Sequence, residues 1–242
     1  MADEAALPGL LPSDAIDDNA IGADGHRMRM RQRLLKTGPD SLADHEMLEM
    51  VLFLALPRRD TKPIGKALLA KFGDFGAVIG APVPELATVE GLGEAGAAAL
   101  KLVQGAALRL LRQEAAATPV LASWDRLIAY LSASMVHERI EQFRVLFLDT
   151  RNRLIADEVQ SRGSINHTPA YPREVVRRCL ELHANAVILA HNHPSGEPTP
   201  SREDVTMTAD IQRALATMGI AVHDHIIVGR SKCVSFREAK LL

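Results

Sequence analysis

AVILAHNHPSGEPTPSRED, residues 186–204, decides how the chain folds and what it can hold. It opens on five apolar residues, Ala186 to Ala190, which predict a short strand buried on both faces. His191 and His193 follow directly. Residues two apart at the end of a strand face the same side, so both imidazoles can reach one point. A turn rich in proline and glycine comes next. Ser201 then reads as the N-cap of a new helix, with Asp204 three residues on, in its first turn. The loop therefore returns Asp204 towards the histidine pair. Two neutral imidazoles and one carboxylate leave a fourth tetrahedral position open, which suits a catalytic rather than a structural zinc. Water at that position would have its pKa lowered to about 7. Taken singly, each residue has an ordinary use: a lone histidine is usually a core or surface residue, and Ser201 with Asp204 alone is a helix cap. Their joint spacing behind a buried strand is what predicts a metal site, for zinc first and for iron or manganese as alternatives. Two other readings of these letters fail. The histidines of the nuclease family nicknamed from His-Asn-His are far apart in sequence, and zinc deaminases need His-x-Glu and a later Pro-Cys-x-x-Cys.

Working outward, the surrounding sequence alternates strands with helices. Phe143 to Leu148 and Leu154 to Gln160 read as strands. Pro172 to His183 reads as a helix with proline in its first turn, and Ser201 to Met218 as a helix ending at Gly219. Ala221 to Val228 and Cys233 to Phe236 read as closing strands. Upstream, a linker runs from Thr118 to Trp124 and a helix from Trp124 to His137. No β-branched run interrupts residues 26–113. Helices are predicted there over 41–56, with Ser41 as N-cap and Pro57 as the stop, over 62–72, over 76–81 and over 95–113. The fold class expected is α/β: a disordered acidic tail (1–25), an all-α domain (26–117) and an α/β domain (118–242).

Leu86 to Leu100 reads as helix, then Gly91-Leu92-Gly93, then helix. Glycine at both turn positions permits positive φ and a close backbone approach. The free N–H groups of the second helix point outward and form a natural anion site, such as a DNA phosphate would fill. This arrangement resembles the helix-hairpin-helix motif, with Gly91 and Gly93 as candidate nucleic-acid contacts. A packing or protein-contact role explains the same residues. Residues 62–112 carry six basic and four acidic side chains, a small surplus that supports few phosphate contacts. Arg27, Arg29, Arg31, Arg33 and Lys36 spray around one helix axis, as either a solvated helix start or a phosphate-attracting patch.

Composition narrows the class. The chain has 242 residues, 47% apolar and 24% charged, with a formal net charge of −2. That apolar fraction excludes disorder throughout. The longest apolar run, Met50 to Leu56, is far short of the roughly 18 residues of a membrane helix, and no signal peptide is apparent. Residues 1–25 hold six acids and no lysine or arginine. Two cysteines, Cys179 and Cys233, make no disulfide framework and suit a reducing, cytoplasmic compartment, where the sequon at Asn166 carries no meaning.

The spacing His-x-His, seven residues, Ser, two residues, Asp resembles the JAMM motif of MPN-type metalloproteases. More closely, residues 26–242 resemble the bacterial RadC family. Gly38 to Leu56, Gly91-Leu92-Gly93, Tyr171-Pro-Arg-Glu174, His191 to Asp204 and Asp224-His225-Ile-Ile-Val-Gly229 carry that resemblance. It implies a JAMM/MPN domain with a cytidine deaminase-like layout, zinc on His191, His193 and Asp204, and hydrolysis of an amide, peptide or isopeptide bond in a peptide or protein substrate. It implies that Ser201 helps hold the oxyanion or the bound water. It also implies an upstream general acid/base, for which Glu141 is first choice and Glu138 the alternative. Tyr171 departs from the family pattern, which has histidine there, and that bears on substrate choice. Asp224 and His225 read as supports of the site or, slightly preferred, as plain strand residues. The family name also implies an alternative: an accessory protein of DNA repair or recombination that binds DNA through its helical region.

Overall fold

The computed structural model describes residues 23–163 and 171–242. Of the predicted acidic tail, residues 1–22 lie outside the described residues, as does the sequon at Asn166. The helical half comprises α1 (Ala23–Thr37), α2 (Asp44–Ala55), α3 (Lys62–Phe72), α4 (Phe75–Gly80), α5 (Val83–Leu86) and α6 (Gly93–Ala117). The second half runs α7 (Trp124–Met135), β1 (Gln142–Leu148), β2 (Leu154–Arg162), α8 (Pro172–Glu181), β3 (Ala186–Asn192), α9 (Arg202–Ala216), β4 (Ala221–Val228) and β5 (Cys233–Ser235). A helical region followed by a helix-covered sheet is the mixed α/β class expected. No helix among the described residues is long and apolar enough to cross a membrane.

The five strands form one sheet in the order β2-β1-β3-β4-β5. β1 pairs antiparallel with β2 and β3, β3 pairs parallel with β4, and β5 pairs antiparallel with β4. Strand alternation divides the apolar residues between two layers. Val145, Phe147, Val187 and Leu189 pack on Val175 and Cys179 of α8 and on Ile211 and Leu215 of α9. Leu146, Leu148, Ile188 and Ala190 pack on Leu127, Leu131 and Met135 of α7. Every residue of β3 is buried, which explains its unbroken apolar start. The helical half has its own core of Leu48, Leu52, Leu68, Val78, Leu86, Leu92 and Leu100.

Three sequence expectations need correction. The helix expected from Ser41 begins at Asp44, because Pro39–Ser41 forms a separate 3-10 turn. Its N-terminus is capped from inside: the Glu46 carboxylate accepts the Ala43 N–H at 3.0 Å. The strand expected to stop at Ala190 runs on to Asn192, so His191 lies within β3. Arg27 belongs to neither a solvated helix start nor a phosphate patch. It is buried, its guanidinium stacks 4.6 Å from the Phe53 ring centre, and it donates to the carbonyls of Leu56, Pro57 and Arg59 past the end of α2. Arg29, Arg31, Arg33 and Lys36 are exposed. Both cysteines are free, and burial pushes the Cys179 thiol up to about 11.

Candidate metal centre

β3 delivers His191 to the α8/α9 side of the sheet, and His193 follows just past the strand. The turn that comes next closes through the Gly196 N–H, which donates to the His193 carbonyl at 2.9 Å. Gly196 has φ +91°, a left-handed conformation that favours glycine. α9 then starts at the edge of the pair. Ser201 caps it: the Asp204 N–H donates to Ser201 Oγ at 3.0 Å, while Asp204 Oδ2 accepts from the Ser201 hydroxyl at 2.7 Å and its N–H at 2.8 Å. The cap fixes Asp204 as well as the helix. One ligand atom from each of His191, His193 and Asp204 lies within 4.8 Å of the others. The His191 Nε2 to Asp204 Oδ1 distance is 3.3 Å, and the two histidine Nε2 atoms are 2.9 Å apart.

The tautomers follow from the hydrogen-bond partners. Thr208 Oγ1 lies 2.6 Å from the Asp204 carbonyl, which can only accept, so the hydroxyl donates there. His225 Nδ1, 2.6 Å from the same Oγ1, must therefore donate to it. His225 is fully buried, and burial first, then the charge of His191, pushes its pKa well below the ordinary histidine range. The ring is neutral, and its Nε2 accepts from His191 Nδ1 at 2.8 Å. His191 is left with a lone pair on Nε2, facing His193 and Asp204. His193 Nδ1 donates to the Glu197 carbonyl at 2.8 Å, which points its own Nε2 lone pair the same way.

Two nitrogen lone pairs and a carboxylate converging on one point repel each other unless a cation or a proton lies among them. The charges reflect this. Burial alone would raise the Asp204 carboxyl, but the imidazoles of His191 and His193, 3.3 and 3.7 Å from its oxygens, outweigh it and hold the group well below the usual carboxylate range. The same contact with Asp204 raises His193. Nitrogen and oxygen donors in this number fit zinc.

The other predicted residues divide. Glu141 stands just before β1 with its charge acting on His193, whereas the charge of Glu138 acts on Lys101 of the helical half. Ser201 is occupied with Asp204. Gly91 and Gly93 lie some way along the chain, in the turn between α5 and α6, with φ +81° and +62°. The Gly91 carbonyl accepts from Arg59 Nη1 at 2.8 Å, and Gly93 opens α6. Asp224 and His225, neighbours in sequence, have different work. Asp224 accepts from the Ser235 hydroxyl (2.5 Å) and the Arg237 N–H (3.0 Å), tying β4 to the end of β5 and the segment after it. His225 backs His191, contrary to the preference for a plain strand residue. Sequence reasoning missed Thr208, although its place four residues after Asp204, on the same helix face, was the available signal.

A family model for the RadC-like JAB domain matches residues 121–241. A UPF0758 protein of Rhodobacter capsulatus is 51% identical over 213 residues, which cover 88% of this chain and 100% of that protein. A UPF0758 protein of Ruegeria pomeroyi is 50% identical over 212 residues, covering 88% and 95% respectively.

Proposed function

The chain belongs to the RadC family, and from the site in its JAB domain we propose that it is a zinc-dependent hydrolase of a peptide or isopeptide bond. The observation that carries the reading is the buried chain of hydrogen bonds from the Asp204 carbonyl through Thr208 and His225. It leaves the lone pair of His191 facing His193 and Asp204. His191, His193 and Asp204 would hold the ion, whose chemistry is Lewis acidity towards a water and a carbonyl oxygen. Glu141, whose charge acts on His193, takes the proton of the attacking water and hands it to the leaving amine. Ser201 holds Asp204 and, by rotating its hydroxyl, donates to the developing oxyanion. Two free cysteines fit a cytoplasmic setting.

The test is elemental analysis of the purified protein beside His193→Ala, followed by a peptide and isopeptide substrate screen. About one zinc per chain, lost in the variant, and turnover abolished in Glu141→Gln with zinc retained would support the reading. No metal in the wild type after zinc is supplied would overturn it.

A second reading, DNA binding by the helical hairpin, draws on the start of α6, where Gly93 leads into the helix and no side chain caps its amides. Its test is salt-dependent binding of duplex DNA that is lost on substitution at Gly91 or Gly93.

A further inference from the structure

Asn192 lies between the two histidines, and strand alternation turns it to the α7 side of the sheet, away from His191. It is 1% exposed. Its amide makes three contacts, all to one short segment. Oδ1 accepts the Gln142 N–H at 2.9 Å, and Nδ2 faces the carbonyls of Ile140 at 3.2 Å and Glu138 at 3.4 Å. One N–H and two carbonyls fix which way the amide points, and only a group with an acceptor and two donors satisfies all three. Glu141 sits inside this clasp. Residues 138–141 form no helix or strand between α7 and β1, and on the far side the Glu141 carbonyl accepts the Gly163 N–H at 3.0 Å.

We infer that Asn192 is a positioning residue, setting the place of Glu141 relative to His191 and His193; the inference rests on the reading of Glu141 as general acid/base. One three-residue span, 191–193, carries both histidines and the clasp. Beyond the ladder that pairs Phe143 of β1 with His191 of β3, the segment carrying the base is thus tied to the histidine span by one rigid side chain. A general base must come within roughly 2.6–3.2 Å of the proton it takes, directly or through one water. Misplacement by about 1 Å can lower turnover on the order of 100-fold. Aspartate at 192 keeps the shape but sets a carboxylate against two carbonyls, and leucine keeps the bulk without any hydrogen bond. Serine keeps one donor and one acceptor.

The experiment compares crystal structures of the zinc-loaded wild type, Asn192→Asp and Asn192→Leu, with zinc content measured for each. Visible absorption spectra of the cobalt-substituted proteins are recorded in parallel with Glu141→Gln. The expected result is unchanged metal content and unchanged His191, His193 and Asp204, with the Glu141 carboxylate displaced and the cobalt spectrum moved towards that of Glu141→Gln. Asn192→Ser should fall between, and it replaces the leucine variant if that one does not fold. A Glu141 carboxylate unmoved in the variants, with a wild-type cobalt spectrum, overturns the inference even if the proteins melt earlier. A wild-type crystal with Glu141 beyond the reach of a bridging water overturns the general-base reading, and this inference with it.

Discussion

Nδ1 of His191 and Nε2 of His225 lie 2.8 Å apart among buried side chains, and the proton between them belongs to His191. The direction is set two bonds away, where the Asp204 carbonyl can accept but never donate. Asp204 thereby works at both ends: its carboxylate faces the ligand cluster, and its backbone fixes the tautomer of another member. Removing His225 leaves the buried His191 Nδ1–H without an acceptor and its ring free to reorient. His225→Leu should weaken zinc binding by about 10–100-fold, the usual effect of losing a partner that orients a ligand. Thr208→Val should move affinity the same way, because His225 then loses its own acceptor. Chelator competition reads both values, and wild-type affinity in both variants would show that the relay does not orient His191.

On the proposed reading, protons and metal compete for His193. The Asp204 carboxylate, 3.7 Å away, raises its pKa above the ordinary histidine value, so in the metal-free site it holds a proton more readily than a free imidazole does. Asp204, held far below that range, does not compete there. Zinc binding near neutral pH should therefore release a proton, and apparent affinity should fall as pH drops through the His193 value. Titration calorimetry in two buffers of different protonation enthalpy measures the release. Equal observed enthalpies at pH 7, with affinity flat between about pH 5 and 8, would contradict this assignment.

The sequence made the candidate ligand trio legible because its spacing is local: a strand end, a turn and a helix start place His191, His193 and Asp204 with few degrees of freedom. The succession of strands and helices and the Gly91-Leu92-Gly93 turn were legible for similar reasons. What could not be read comes from contacts between distant segments. His225 meets His191 only because β3 and β4 are parallel neighbours, and nothing local distinguishes it from Asp224 beside it. Arg27 reads as one of five basic residues until α1 packs beside α2 and brings it under the carbonyls of residues 56–59. Asn192 has no signal of its own, since the letter between two ligands is free to vary in the motif and its partners lie about fifty residues upstream.

On the face of the sheet away from the histidines, Arg144 donates to Asp157 Oδ2 at 2.8 Å, and the Tyr130 hydroxyl donates to the same oxygen. The Asp157 side chain is 2% exposed, and burial and that carboxylate push the Tyr130 phenol up to about 12. Arg144→Leu strands a buried carboxylate with one neutral partner, so it should cost about 3–5 kcal/mol in chemical denaturation. Replacing Asp157 as well, by leucine, should recover most of the loss, since a buried pair exchanged for apolar side chains is often neutral. Zinc content should stay at the wild-type level in both. A cost below about 1 kcal/mol for the single variant would mean that water reaches Asp157.

The two halves of the chain meet at Gly80, the last residue of α4. A Cβ built there would lie 2.5 Å from Cδ2 and 2.6 Å from Cβ of His137, which stands just after α7. These are near atoms of the ring and its stem, so a rotamer change alone cannot clear them. Gly80 has no positive φ, and alanine in an open helix would be the better residue by about 0.5–1 kcal/mol. The contact reverses that sign: Gly80→Ala should destabilise by about 1–3 kcal/mol, the usual cost of overpacking. The control is the same substitution in a His137→Gly background, where the obstructing atoms are gone. There Gly80→Ala should be neutral or stabilising, and the double-mutant cycle should return a coupling of the size of the reversal. Equal effects in the two backgrounds would mean that α4 and the residue 137 connection yield to each other without strain, and that Gly80 is not what lets them close.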